Sequence, residues 1–469
     1  MSDFARLIIY KIGRLTILSA LLFAAGAARA QETPAAPALP APPDPAVTAR
    51  IDSLEQRTRT LEKQLAAAEA AANAPRSTTT FQTDEGGFAV TSADRQYQVR
   101  FKGLLQVDGR RIFGDSALAN TVDTFLIRRA RPILAGTVLG LTDFNFTPDF
   151  GNGTTSLLDA YLDTHPFPWL RLRVGKFKPP VGLERLQADQ DVTFNERGLS
   201  QNLSAQRDVG LELWGDIAGG IIRYEGAVLN GNPDNGINDI DSDHAKTFAG
   251  RIFVQPFNTD SLRAFGRLGL GLAAETGNEK GSATNPWVGA FKSDSQQTIF
   301  SYLASSTANT VFALDRHTRI NPQCSYYLGP FGLLAEWIHE YQQLSNSVGT
   351  GAVNNSAGNV VASFVIGGDA SYEGVKPHHA LDLAEGGFGA LEIGARYNWL
   401  NVDHAAFPTA ADPSKSVNRA RSFGVALNWQ LSRNLKAGAD FDQTWFQGGA
   451  HGGNRNTETA GIARFQTSF

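Results

Sequence analysis

The sequence predicts an all-β chain whose long C-terminal part closes into a transmembrane antiparallel β-barrel of roughly 16 strands, preceded by a short α-helical coiled coil. Three observations predict it. Apolar and polar residues alternate with period two from about residue 96 to the end, the signature of strands with two different faces. The polar faces carry many charges, while the apolar faces often end in Tyr or Trp, as interfacial girdles do. Short turns such as Ser432-Arg433-Asn434 alternate with long polar stretches, of which Asn230 to Ala245 and Ser347 to Gly358 read as loops.

Taken in order, residues 1–30 read as a cleaved export signal. Arg6, Lys11 and Arg14 precede the apolar run Leu15 to Ala25, and Ala28-Arg29-Ala30 supplies a small-x-small cleavage pattern near Ala30. That run is shorter than the roughly 20 residues a spanning helix needs, which argues against a permanent anchor. No later stretch reaches that length without charges, so a membrane form of the chain must cross as strands. Residues 31–46 (QETPAAPALPAPPDP and its neighbour) form an Ala/Pro linker. Over 47–75, Val47, Ile51, Leu54, Leu61, Leu65, Ala68 and Ala72 recur at spacings of three and four, with Thr58 as the one polar core position. Such a helix is marginal alone and gains stability in an oligomer; a single amphipathic surface helix is the alternative. Residues 76–95 read as a second linker, and 96–469 as the barrel.

The strands are legible one by one. Tyr97, Val99, Phe101, Leu105 and Val107 oppose Gln98, Arg100, Lys102, Gln106 and Asp108; Phe144, Phe146 and Phe150 oppose Asp143, Asn145, Thr147 and Asp149. Further on, Ile393, Ala395, Tyr397 and Trp399 oppose Glu392, Arg396 and Asn398, and Phe423, Val425 and Leu427 oppose Asn428. Gly461, Ala463, Phe465 and the terminal Phe469 share a face of the last strand, a closing pattern usual in outer-membrane barrels. Residues 96–469 divided by about 23 residues per strand and its connections give roughly 16 strands. A barrel of that size encloses a water-filled lumen.

One stretch resists simple alternation. TFLIRRARPILAG (124–136) sets Arg128, Arg129 and Arg131 in an apolar run, where a dry environment would cost each guanidinium several kcal/mol or more. A lumen wall would solvate them. Period two puts Arg129 and Arg131 on one face and Arg128 on the other, at a rim or a subunit contact, unless a bulge intervenes.

The stretches FKGLLQVDGRR (101–111), FLIRRARPILAGT (125–137), DFNFTPDFGNG (143–153), LLDAYLD (157–163), LRLRVGKFKPPVGLER (170–185) and the closing RFQTSF, in this order and spacing, resemble the phosphate-selective porin O/P family. The resemblance implies a trimeric 16-stranded outer-membrane porin that passes small anions, phosphate or polyphosphate among them, through a constriction lined by Arg and Lys. Carried over by position, it assigns Arg128 and Arg129 to the paired arginines of the constriction strand, Asp159 to its acidic residue, and Lys176 to the basic residue before an inward-folded third loop; Arg131 and Lys178 adjoin them. Secondary lumen candidates are Arg100, Lys102, Arg171, Arg173, Arg223 and Arg251, for which pairing with a carboxylate across the barrel is the plainer role. The sequence departs from the family after GLE: RLQADQDVTFNER (185–197) brings Asp189 and Asp191, which would repel a dianion.

Charge and motifs bear on other classes. The formal net charge of -4 averages over faces and tails, so it does not report the sign inside a channel. Cys324, alone, forms neither an intrachain disulfide nor a cysteine zinc site. GNGTTS (151–156) lacks the P-loop Lys, and WIHEYQ (337–342) lacks the second His of a zincin. The expectation is therefore a channel, not an enzyme, with no metal or organic cofactor. Its expected partners are two further copies in a homotrimer, outer-membrane lipid and small inorganic anions such as phosphate, with no nucleic acid. A weakly selective porin whose coiled coil tethers the outer membrane to the cell wall, and a soluble exported β-sandwich, are the competing readings.

Overall fold

The computed structural model describes residues 45–73, 78–84, 86–113, 123–233, 241, 244–257, 265, 267–304 and 309–469. The export signal and nearly all of the first linker lie outside them. The chain divides into an N-terminal unit up to Ala74 and a second unit from Pro75. The first contains one long helix, α1 (Pro45–Asn73). Its heptad residues Ile51, Leu54, Leu61 and Leu65 are all more than half exposed. Among the described residues no helix is long and apolar enough to cross a membrane.

The second unit opens with a hairpin, β1 (Thr80–Asp84) and β2 (Gly87–Thr91), where a linker is expected from sequence. TFQTD and GFAVT are short runs of strand formers whose turn needs Gly87 at φ 103°, and β2 continues onto the next strand. Sixteen strands then form a closed antiparallel barrel: β3 (Gln98–Phe113), β4 (Thr124–Val138), β5 (Thr142–Asp149), β6 (Ser156–Phe167), β7 (Leu170–Phe177), β8 (Asp208–Ile217), β9 (Ile222–Leu229), β10 (Thr247–Val254), β11 (Leu268–Lys280), β12 (Phe312–Leu328), β13 (Phe331–Asn346), β14 (Gly349–Ile366), β15 (Ala390–Asn401), β16 (Val417–Ser432), β17 (Leu435–Ala450) and β18 (Glu458–Ser468). Closure runs from Thr459 opposite Phe113 to Ser468 opposite Leu104. Phe469 then exchanges backbone hydrogen bonds with Gly103, and its ring occupies the space a side chain at 103 would need.

The barrel is built inside out relative to a soluble sandwich. Val99, Phe101, Leu213, Ile252, Phe364, Val425 and Phe441 are exposed on its outer wall, whereas Gln106, Asp108, Glu212, Arg319, Arg396 and Asp442 are buried within. Apolar residues outside and charges inside suit a lipid-facing wall around a lumen and contradict a sandwich, whose apolar faces would meet each other.

One expected loop is absent: Ser347 to Gly358 forms the tight turn between β13 and β14 and the first half of β14, paired throughout with β13. Its Asn/Ser/Gly composition reads as loop, but alternate residues Val353, Asn355 and Ala357 point into a packed interior. Most of Asn230 to Ala245 lies outside the described residues.

Several connections reach into the barrel, and two of them frame the site. The 178–207 loop between β7 and β8 crosses the lumen, and its Leu199 and Leu203 join Phe291, Phe300, Ile338 and Leu400 in an apolar cluster against β13, β15 and their neighbours. From the end that carries Phe469, the 367–389 connection also turns inward. Its Tyr372 hydroxyl donates to Leu183 O (2.6 Å), and Gln187 Nε2 donates to Tyr372 O (2.8 Å).

Candidate functional site

A bulge resolves the arginine run. Gln106 pairs with Arg129 and Val107 with Ile127, so Arg128 is an extra residue in β4. The insertion turns two consecutive side chains to the same face. Arg128, Arg129 and Arg131 all enter the lumen, with side-chain exposures of 17%, 6% and 10%, while Ile127 and Leu134 stay on the lipid wall. The rim position that strict alternation gives Arg128 is not adopted.

These arginines hold the 178–207 loop. Arg128 clasps Glu196 through Nε (2.5 Å) and Nη2 (2.9 Å); Arg110 (2.5 Å) and Arg464 (3.3 Å) reach the same carboxylate. Arg129 (3.3 Å), Arg131 and Arg197 converge on Asp189, and Arg131 also binds Asp149 at 2.7 Å. Burial alone would raise the Asp189 carboxyl, but Arg129, Arg197 and Arg131 outweigh it and hold it well below the usual carboxylate range. Glu196 is likewise held low against burial, chiefly by Arg128. Lys436 on β17 secures the loop further, donating to Gln190 O (3.0 Å) and Val192 O (3.1 Å).

The other family-matched residues have different surroundings. Asp159 on β6 takes a two-point contact from Arg207 (2.9 and 3.1 Å) and lies in the field of Lys178 and Arg131. Lys176 is buried in the wall of β7. Lys178 donates only to backbone carbonyls, Arg185 O (2.8 Å) and Gln187 O (3.0 Å). Arg185 donates to the Gln206 side chain and leaves Nε without a partner. Burial, then the neighbouring Arg207 and Arg197, pushes both of these cations well below their ordinary range. Neither has a carboxylate within ion-pair distance among the described residues. Around Asp149, Asp159 and Asp189 the cations Arg129, Arg131, Lys178, Arg185, Arg197 and Arg207 are thus in formal excess.

The loop itself gave no such signal. It contains Lys178, Arg185, Arg197 and Arg207 against Glu184, Asp189, Asp191 and Glu196, a balanced set. Wall arginines occupy Asp189 and Glu196, and this leaves Lys178 and Arg185 without a carboxylate in ion-pair contact among the described residues. Sequence reasoning missed Arg185, Arg197 and Arg207 because only pairing distinguishes them from solvated loop charges. Among the described residues no His, Cys, Asp and Glu group has the geometry to hold a metal.

The secondary candidates lie mostly in paired positions. Arg100 binds Asp84 of the hairpin (2.6 Å), and Lys102 sits half-buried on the inner face of β3. Arg171 and Arg173 share Asp163 (3.1 and 2.9 Å), and Arg173 also reaches Glu212 (2.6 Å). Arg223 pairs with Asp216 and Arg251 with Glu225, both at 2.8 Å. Arg173, Arg223 and Arg251, with Arg267 and Lys376, line a cavity of about 650 Å³ beside the inward 367–389 connection.

A closed barrel with an apolar outer wall and a charged lumen narrowed by inward loops has the architecture of an outer-membrane porin. The chain belongs to the phosphate-selective porin O and P family, whose model matches residues 99–444. It is 22% identical over 393 residues to Porin O of Pseudomonas aeruginosa, covering 76% of this chain and 85% of that protein. Its fold is similar to the outer-membrane channel DcaP of Acinetobacter baumannii (TM-score 0.50, 11% identity, 81% of this chain and 99% of that one). An anion-selective porin from Comamonas acidovorans is also similar, at TM-score 0.48 and 11% identity over 80% of this chain and 100% of that one.

Proposed function

We propose that this porin is a passive diffusion channel preferring small anions, with phosphate among its solutes, and that Lys178 and Arg185 present the charge that an entering anion meets. The observation that carries the reading is the pair of cations without carboxylate partners beside Arg197, Arg207 and Asp159. Cations crowded in a low-dielectric wall focus a positive potential and are relieved by a mobile anion. Arginine forks also suit two-point contact with an oxyanion. The family description favours phosphate.

A homotrimer fits the same reading. The exposed heptad stripe of α1 calls for identical helices, and three copies joined through their barrels would supply them.

The test is the reversal potential of the purified porin in a planar bilayer under a KCl gradient, followed by addition of phosphate. The reading expects a potential on the chloride side and a chloride current reduced by phosphate. A potassium-side potential would refute anion preference; a chloride current indifferent to phosphate would leave an anion channel without phosphate recognition.

A further inference from the structure

Asp189 and Asp191 are two residues apart, yet their environments differ completely. Asp189 is enclosed by three arginines. Asp191 makes no side-chain hydrogen bond or ion pair among the described residues. It is half-buried at the seam where the 178–207 loop meets the inward 367–389 connection, and it lines a polar cavity of about 190 Å³. Gly374, at φ 88°, passes so close that a Cβ there would sit 2.6 Å from Asp191 Oδ1. The Lys436 ammonium, which lines the same cavity, is committed to the carbonyls of Gln190 and Val192 on either side of Asp191.

Resting on the anion-channel reading, we infer that Asp191 is a specificity-determining residue: a carboxylate at the seam, held by no ion pair, that admits monovalent anions and discriminates against divalent ones. The physical basis is Coulombic. The loop cations attract a dianion twice as strongly as a monoanion, and a fixed negative charge at the seam lowers that local positive potential, a loss that counts double for the dianion. The cavity shares Glu373 and Lys376 with the larger cavity lined by Arg173, Arg223 and Arg251, so both are bounded by the 367–389 connection.

The groups facing Asp191 set when that charge is present. Lys436 from β17 and Lys178 from its own loop favour the carboxylate; Glu373 from the inward connection and Asp189 oppose it. Glu392 of β15, Lys376 and Arg433 complete the charged lining. Burial dominates and pushes the Asp191 carboxyl up to about 7. Below that pH the group is neutral and discrimination falls; above it the charge is present and discrimination is full.

The experiment compares sulfate with chloride, ions whose charges do not change between pH 5.5 and 8.5. Bi-ionic reversal potentials are measured for wild type and Asp191→Asn, with a KCl gradient in the same bilayers. The sulfate-to-chloride permeability ratio of wild type is expected to rise severalfold on acidification, and Asp191→Asn is expected to show the higher ratio at both pH values. A ratio unaffected by the substitution, or a wild-type ratio independent of pH in an anion-preferring channel, overturns the inference. A cation-preferring KCl potential instead overturns the underlying channel reading. Glu373→Gln serves as a second variant: it is expected to shift the pH midpoint of the wild-type response downward, and an unchanged midpoint counts against the seam.

Discussion

Arg128, Arg129 and Arg131 act at the residue scale as clamps. Their charges are consumed by Glu196, Asp189 and Asp149, and the consequence appears one shell away, at Lys178 and Arg185. Replacing Arg128 alone would leave Glu196 to Arg110 and Arg464, so the barrel should still fold while chloride preference falls. Replacing Arg128 and Glu196 together removes a matched pair. That double variant is expected to keep its chloride preference, read as reversal potential, and a fall as large as that of Arg128→Ala would mean that Arg128 meets the solute directly. For scale, a unit charge about 4 Å from an ion contributes about 1 kcal/mol in water, which corresponds to roughly fivefold in partitioning.

At the scale of elements, the strands were legible and the loops were not. Alternation in β3, β15 and β16 correctly separates lipid-facing from lumen-facing residues, because a strand's two faces meet different media. Alternation cannot reveal the bulge at Arg128, since one inserted residue leaves the flanking periods intact and only the pairing with β3 shows the slip. Nor can it reveal that β14 continues through polar Asn and Ser, which the packed lumen accommodates. The family-matched Arg128, Arg129 and Asp159 do converge on the loop, but the unpaired Lys178 and Arg185 emerge only from knowing which carboxylates are taken. The inward 367–389 connection depends on Gly374, where a positive φ and the adjacent Asp191 exclude a side chain. Gly374→Ala should displace that connection from the seam. Single-channel conductance is expected to rise and become noisier; a trace indistinguishable from wild type would mean the contact does not constrict the path.

For the whole molecule, the distribution of polarity decides the class. A wall with Phe, Val and Leu outside and dozens of buried polar side chains inside is stable only with lipid around it. The helix α1 exposes Ile51, Leu54, Leu61 and Leu65, and the proposed homotrimer would supply identical helices to cover them. Deleting residues 47–75 is expected to lower the detergent stability of the trimer on unheated gels while leaving the KCl reversal potential unchanged. An altered potential would place the helix in the conduction path.

If wall arginines neutralise the loop's acids, the loop's own cations are free to meet the anion. The KCl-gradient reversal potential of Lys178→Ala/Arg185→Ala, measured beside wild type, decides this. The account predicts a chloride-preferring wild type and a double variant that loses most of that preference, with the barrel still heat-modifiable on gels. A double variant that folds and retains wild-type chloride preference would contradict it.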